Sequence, residues 1–256
     1  MGKTGGTGRE APFLACHGAV SPSPEGLDGP EFWLDSVAMA TTSSHAGTAA
    51  GSDRRRRRRE LTITEALDLA EEIIEERGVG ALTISELARR MAMRGPSLYK
   101  YFPSLHAVYD ALFARGLAAQ NAAIDGAIED AEPGVGRLMA LARTIVRWSV
   151  EHPGMASLMY WRPIPGFEPT PETFVASTQR HERVRSEFAI AVQCGQLGRG
   201  AGGDEAVRLF TVVISGLFTQ QVANQPRVSY EAGMFTALTD QALEMFFDRY
   251  RPARRK

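Results

Sequence analysis

Cysteine is nearly absent. Cys16 and Cys194 are the two in 256 residues, far apart and outside any metal or redox spacing. That excludes a disulfide framework and a thiolate metal centre, and it fits a reducing, cytoplasmic setting. Charge of one sign is absent too. The 29 Lys and Arg against 30 Asp and Glu leave a net charge of −1, so the chain is no general nucleic-acid coater, and any DNA affinity must come from local placement of charge. No apolar run approaches the roughly 20 residues of a membrane span, so no membrane partner is expected. The first residues lack a basic stretch followed by a long apolar one, so no secretory leader is expected. Catalytic signatures are missing: there is no Gly-x-Ser-x-Gly, no His-Glu-x-x-His and no phosphate loop. His152 ends a helix beside proline, His181 lies on a polar helix face, and Cys194 precedes a glycine-rich stretch with no strand before it. These three read as structural residues. No catalytic residue, metal ligand or cofactor is expected.

What is present centres on residues 83–104, TISELARRMAMRGPSLYKYFPS. Thr83 and Glu86 form a capping box in which the Thr83 hydroxyl takes the Glu86 N–H and the Glu86 side chain reaches back to the Thr83 N–H. Ile84, Leu87, Ala88 and Met91 share one face of the short helix that follows. Residues 92–94 make a turn. Gly95 is the expected N-cap of a second helix, with Pro96 in its first turn, where the missing N–H has no helical partner anyway. Leu98 and Phe102 face inward, Pro103 stops the helix, and Ser104 caps the next. Gly95, Pro96, Ser97, Tyr99, Lys100 and Tyr101 then face outward. Small residues followed by two hydroxyl-bearing aromatics around a lysine suit a major groove better than bulk water.

On these residues the chain resembles the TetR family of transcriptional regulators. The match runs from about Ile63 to Phe113 and is densest over Thr83-Ile84, Leu87-Ala88 and the run from Ser97 to Ser104. The resemblance implies an all-α fold: an N-terminal three-helix helix-turn-helix unit and a larger C-terminal helical domain for effector binding and dimerisation. Thr83, Arg94, Ser97, Tyr99, Lys100 and Tyr101 would mainly hold phosphates, and Gly95 and Pro96, with Lys100 as a further candidate, would meet base edges. Two positions depart from the family pattern. Ala92 stands where many members have glycine. Leu105 stands where many have a phosphate-contacting lysine, a contact that Arg94 and the arginine run at 54–59 would have to replace.

Residues 1–53 are rich in Gly, Pro, Ser, Thr and Ala and are expected to be disordered, with one small apolar cluster at Phe32, Trp33 and Leu34. A start at Met39 is one reading, which would leave residues 1–38 outside the native chain. Arg54, Arg55, Arg56, Arg57, Arg58 and Arg59 read either as a solvated run or as a flexible arm that follows phosphates or enters the minor groove; their place beside the helix-turn-helix favours the arm. The first helix is expected over 62–77. Thr62 and Glu65 would form its capping box, Ile63, Ala66, Leu67, Ala70, Ile73 and Ile74 its buried stripe, and Gly78 its stop. The DNA-binding domain is thus 60–104, the C-terminal domain 105–250, and 251–256 a basic tail.

Further helices are expected over 104–128, 136–151, 155–161, 172–193, 204–224 and 230–250, broken by 132–134, 152–154, a proline-rich loop at 162–171 and glycines over 195–203. The last two carry wide apolar stripes, which point to burial against something outside the protomer. The resemblance implies that they form a homodimer. Trp148, Met155, Leu158, Met159 and Trp161 are candidates to line a pocket for an apolar or aromatic effector, with ordinary core as the alternative. The expected function is a ligand-responsive regulator that binds a near-palindromic operator in double-stranded DNA as a dimer, most often as a repressor. The rivals are a helical binding or enzymatic protein with a vestigial helix-turn-helix, and an activator or ligand-independent regulator.

Overall fold

The computed structural model describes residues 46–252. Residues 1–45 of the N-terminal extension, with the Phe32–Leu34 cluster, and most of the basic tail lie outside the described residues; residues 46–53, expected to be disordered, are instead the first turns of α1. Packing divides the chain after Ser52, and the second unit, Asp53–Lys256, carries the helical body.

Nine α-helices and no strand are found among the described residues: α1 Ala46–Arg77, α2 Ile84–Arg90, α3 Gly95–Leu98, α4 Leu105–Ile128, α5 Val135–Glu151, α6 Pro153–Tyr160, α7 Pro171–Gln193, α8 Asp204–Asn224 and α9 Thr239–Arg249. At three of the four places where a serine or threonine precedes an apolar-periodic run and is expected as a cap, the helix starts there. Thr83 accepts from the Glu86 N–H, Ser104 from Ala107 and Thr170 from Thr173. Helices α5 and α6 have no such residue. The Glu187 carboxylate of α7 takes the Gly134 N–H at 2.8 Å and Gln196 takes that of Val135 at 2.9 Å. The Glu75 carboxylate of α1 takes the N–H groups of Gly154 and Met155, each at 3.0 Å. Asp110 of α4 does the same for Thr170 at 2.8 Å.

Two hydrophobic clusters result. The proximal one joins α1, α2, α3 and the first half of α4 to Trp148, α6 and Phe167. The distal one joins the end of α4 to α5, α7, α8 and α9. The packing therefore does not break at residue 104: α4 enters both clusters, and α6 lies with the helix-turn-helix. At Gly154 an added Cβ would stand 2.7 Å from Ile74 Cγ2 and 2.9 Å from the Ile74 carbonyl oxygen. At Gly116 it would meet Met159 Sδ at 2.8 Å and Met155 Cε at 2.9 Å. Glycine is what lets α6 seat against α1 and α4.

Several expectations are corrected. Helix α1 does not begin at Thr62 but continues upstream through all six arginines. Arginine is a good helix former, and nothing before Thr62 breaks the helix. Thr62 is accordingly no cap, and its hydroxyl donates to the Arg58 carbonyl at 3.0 Å. The last helix begins at Thr239, not 230, because side chains occupy the backbone groups a helix would need. Gln221 Oε1 takes the Phe235 N–H at 3.1 Å, and the Thr236 hydroxyl donates to the Tyr230 carbonyl at 2.6 Å. Helix α6 starts at Pro153, directly after α5. By length and composition alone α8 could cross a membrane, at mean hydropathy 1.3, but its Phe210, Ile214 and Phe218 are buried in the distal cluster.

Candidate nucleic-acid interface

Helix α2 closes with a left-handed residue. The Met93 N–H returns to the Ala88 carbonyl at 2.9 Å and the Ala92 N–H to Arg89 at 3.2 Å, the paired bonds of a Schellman stop. The left-handed position is Ala92, at φ 52°, where glycine would carry no Cβ penalty. This turn aims α3. Tyr109 of α4 fixes the other side of α2. Its buried hydroxyl donates to the carbonyls of Val79 and Leu82 at 3.2 and 3.3 Å, and burial pushes the phenol pKa up.

The N-cap of α3 is Arg94 rather than Gly95, which is the first helical residue. Pro96 follows in the first turn. Regular helix ends at Leu98, earlier than expected, and the chain tightens: the Tyr101 N–H reaches the Leu98 carbonyl at 2.9 Å and that of Phe102 reaches it at 3.0 Å. Leu98 and Phe102 are buried, as their spacing requires. Arg94, Pro96, Tyr99 and Lys100 are exposed, Tyr99 by 53%, and Gly95 and Ser97 are half-buried. Tyr101 departs from the outward reading: it is half-buried and packs on the proximal core. A Cβ at Gly95 would meet nothing within 4 Å, so the protein's own packing does not demand glycine there. The bare backbone leaves room for a body outside the chain.

Charge separates by partner. Arg89 donates to both Glu86 oxygens at 2.9 and 2.8 Å, Arg77 reaches the same carboxylate at 3.4 Å, and Arg90 joins Glu86 to Glu76 and Glu72. The Arg89 guanidinium, then that of Arg90, hold the Glu86 carboxyl down at about 2. The Glu86 side chain is thus spent on arginines and does not return to the Thr83 N–H, so only half of the expected capping box forms. Arg94 and Lys100, by contrast, have no acidic partner among the described residues. Cationic charge left over from pairing lies at the N-terminus and end of α3.

The arginine run is not a flexible arm but exposed helix. Arg56 pairs with Asp53 and Glu60 at 3.7 and 3.8 Å. Arg59 donates to the Lys100 carbonyl at 3.4 Å, which fixes its side of α1 beside α3. At about 100° per residue, Arg55 and Arg56 share that side, while Arg54, Arg57 and Arg58 point elsewhere.

The five pocket candidates are not gathered around a space. Trp148, Met155, Leu158 and Met159 are buried in the proximal core, while Trp161 is 40% exposed. The methionines are occupied in filling the approach of α6 to α4. Sequence reading missed a polar group nearby: fully buried Gln120 of α4 accepts from the Tyr160 hydroxyl at 2.8 Å and from Arg180 of α7. Its signal was a glutamine in register with the apolar stripe Phe113, Leu117 and Ile124.

Residues 66–112 match the model of the family described as bacterial regulatory proteins, tetR family. The chain is 30% identical over 94 residues to the uncharacterized HTH-type transcriptional regulator YobS of Bacillus subtilis strain 168, which is 37% of this chain and 49% of that protein. The chain spans about half the length of the curated relatives it matches. The TetR family transcriptional regulator PfmR of Thermus thermophilus superposes with a TM-score of 0.56 at 17% identity, over 75% of this chain and 96% of that one. The transcriptional regulator FadR of Bacillus subtilis, in complex with stearoyl-CoA, does so at 0.56 and 16%, over 72% and 97%. These likenesses establish the fold, a helix-turn-helix on a helical body.

Proposed function

We infer, starting from a helix-turn-helix that matches the model of the tetR family of bacterial regulatory proteins, that the chain is a ligand-responsive repressor that binds a near-palindromic operator as a homodimer. The family is one of regulators rather than enzymes. The observation that carries the reading is the α3 surface, with a glycine backbone the fold does not require, an exposed tyrosine, and cations at Arg94 and Lys100 left without acids. In this reading Thr83, Arg94, Ser97, Tyr99 and Lys100 hold phosphates, with Tyr101 supporting from its half-buried position. Gly95 and Pro96 face base edges. Arg55 and Arg59 extend the phosphate contact as rigid helix.

A second copy is supported by the outer faces of α8 and α9. Leu209 and Val212 of α8, Leu238 in the turn just before α9 and Met245 of α9 are exposed there, Val212 by 62% and Met245 by 66%. Apolar side chains along two neighbouring helices suit a two-fold four-helix contact. Two recognition helices would then enter successive major grooves roughly 34–36 Å apart. A small-molecule effector is supported by the fold shared with FadR, whose structure holds stearoyl-CoA. It would act by binding two settings of α4 and α6 with different affinity, since a ligand without that difference shifts nothing. In this reading 60–104 serves DNA and 105–250 serves effector and dimer, a division of task and not of packing, since α4 and α6 share a core with the DNA-reading helices, and the protein works in the cytoplasm where the operator is.

Selection of bound duplexes from a random pool, with sedimentation of the free protein, tests the reading. Expected are a near-palindrome and a dimer. A strictly monomeric protein, or none of the pool retained at low salt, overturns it. Replacing Arg55 and Arg59 by Gln should lower the slope of log affinity against log salt by about 0.9 for each phosphate no longer neutralised; an unchanged slope removes the helical extension from the interface.

A further inference from the structure

Gln120 is the one large polar side chain in the buried stripe of α4, between Leu117 of the proximal cluster and Ile124 of the distal one. Two donors converge on its oxygen, the Tyr160 hydroxyl at 2.8 Å and the Arg180 guanidinium, so the amide orientation is fixed. The other end, Nε2, is buried with no protein group to accept from it. Arg180 is half-buried, and among the described residues its partner is this neutral carbonyl rather than a carboxylate. The group thus holds more donors than acceptors: the guanidinium and phenol of two half-buried residues share one weak acceptor, and the buried amide N–H groups find none in the protein. Burying donors without acceptors destabilises a fold unless something else supplies the oxygen.

Beside these donors lies an aromatic wall. Tyr160 packs on Phe218 of α8 at 5.0 Å between ring centroids, and Trp161 lies 6.3 Å from the same ring. Trp161 is 40% exposed, so the wall reaches the surface.

We propose that Gln120, Tyr160 and Arg180 form the seat for the carboxylate of an aromatic acid, whose ring rests against the part-exposed Trp161, itself backed by the buried Phe218. The proposal rests on the ligand-responsive reading above and names the ligand class. A carboxylate is a stronger acceptor for a guanidinium than an amide carbonyl. It would take the Arg180 and Tyr160 hydrogen bonds from Gln120, and the amide, released, would turn its N–H to the second oxygen. Residues of α4, α6 and α7 then share one ligand, and α4 and α6 are the helices that abut the DNA-reading unit.

The test titrates full-length protein with 2-naphthoate and benzoate against 2-naphthamide and benzamide, by calorimetry and tryptophan fluorescence, with a gel shift on the selected operator run in parallel. Each carboxylate should bind about tenfold or more tightly than its amide, as charge-assisted hydrogen bonds require. Arg180→Met should erase that preference while leaving amide binding unchanged. Gln120→Glu, nearly isosteric, places a carboxylate on the protein itself and should abolish binding of the acids in a chain still helical by circular dichroism. Equal binding of acids and amides, binding of neither, or a preference that survives Arg180→Met overturns the seat. Acids that bind and leave the gel shift untouched support the seat and sink the ligand-responsive reading. Amides that release DNA as well as the acids do sink the seat and spare that reading.

Discussion

The proximal and distal cores are packed by opposite means. The distal core is a stack of rings: Phe188 meets Phe210 at 5.4 Å and 89°, Phe210 meets Phe246 at 5.4 Å, and Phe246 meets Phe247 at 5.2 Å. The proximal core brings backbones together instead, with Gly154 against Ile74 and Gly116 against two methionines, and its helix ends are tied by Glu75. Rings supply bulk apolar burial with little demand on the position of any one backbone. Glycine contacts and carboxylate caps fix where one helix lies on another. The distal core is therefore built for stability, and the proximal core for registering α6 on the helices that carry α2 and α3. If so, damage to the two should have different signatures.

The largest effect is expected at Phe210, fully buried among three other rings. Phe210→Ala should cost about 3–5 kcal/mol of unfolding free energy in urea, the usual loss for a buried phenylalanine. The fraction that remains folded should bind DNA with unchanged affinity. A matching loss of DNA affinity would erase the distinction between the cores.

Gly154→Ala makes the opposite test. Its Cβ would stand 2.7 Å from Ile74 Cγ2 and 2.9 Å from a backbone oxygen, so a helix must shift rather than a side chain rotate. Overpacking of this kind costs about 1–3 kcal/mol, less than the loss at Phe210. DNA affinity should nonetheless fall, because α1 and α6 can no longer seat together. A variant that is destabilised in urea yet normal in the gel shift would show that α6 does not set the reading head.

The same division explains what was legible in the sequence. Elements punctuated by local chemistry were readable: Thr83, Ser104 and Thr170 each cap the helix that follows, and Gly78 ends α1 where it stands, whereas α3 stops at Leu98, well before Pro103. Leu98 and Phe102 were readable as core from spacing alone. The caps on α5 and α6 were not, because Glu187 and Glu75 lie 53 and 79 residues from the groups they bind. The N-terminal limit of α1 was missed because a run of like charges reads as solvated arm, while its residues individually favour helix. The pocket candidates were chosen by residue type. Met and Trp serve a close-packed junction as readily as a cavity, and only the folded chain shows which. Gln120 carried a signal in its register, but its partners come from α6 and α7, 40 and 60 residues away.

A smaller effect, and of opposite sign, is expected at Ala92. At φ 52° the residue pays the left-handed penalty of about 1–2 kcal/mol, and glycine loses back roughly 0.5–1 kcal/mol through the unfolded chain, so Ala92→Gly should stabilise by about 0.5–1 kcal/mol. The backbone path of the turn is already the one glycine prefers, so DNA affinity should hold. A loss of stability on this substitution would mean that the Ala92 methyl makes contacts that outweigh the strain.

The smallest effect concerns the paired charges of α2, which lie on the surface and belong to neither core. Glu86 is pulled from 4.5 to about 2 by the Arg89 and Arg90 guanidinium groups. A carboxyl whose folded pKa is depressed binds fewer protons in the folded chain than in the unfolded one. Its contribution is complete above about 4.5 and is lost as pH falls through the window down to about 2. Glu86 and Arg90 are half-buried, but Arg89 and Arg77 are exposed and the cluster lies at the surface, where salt screens it, so the gain is small and should shrink further at high ionic strength. Glu86→Gln should flatten this part of the acid limb of the stability curve and leave stability at neutral pH almost unchanged. It should also free Arg89 and Arg77 from their shared carboxylate, adding unpaired cations near Thr83, so affinity for any duplex should rise slightly and its salt dependence steepen. If the acid limb keeps its shape in the variant, the depressed carboxyl contributes nothing to folding, and α2 is held by Thr83, Leu87 and the Schellman turn alone.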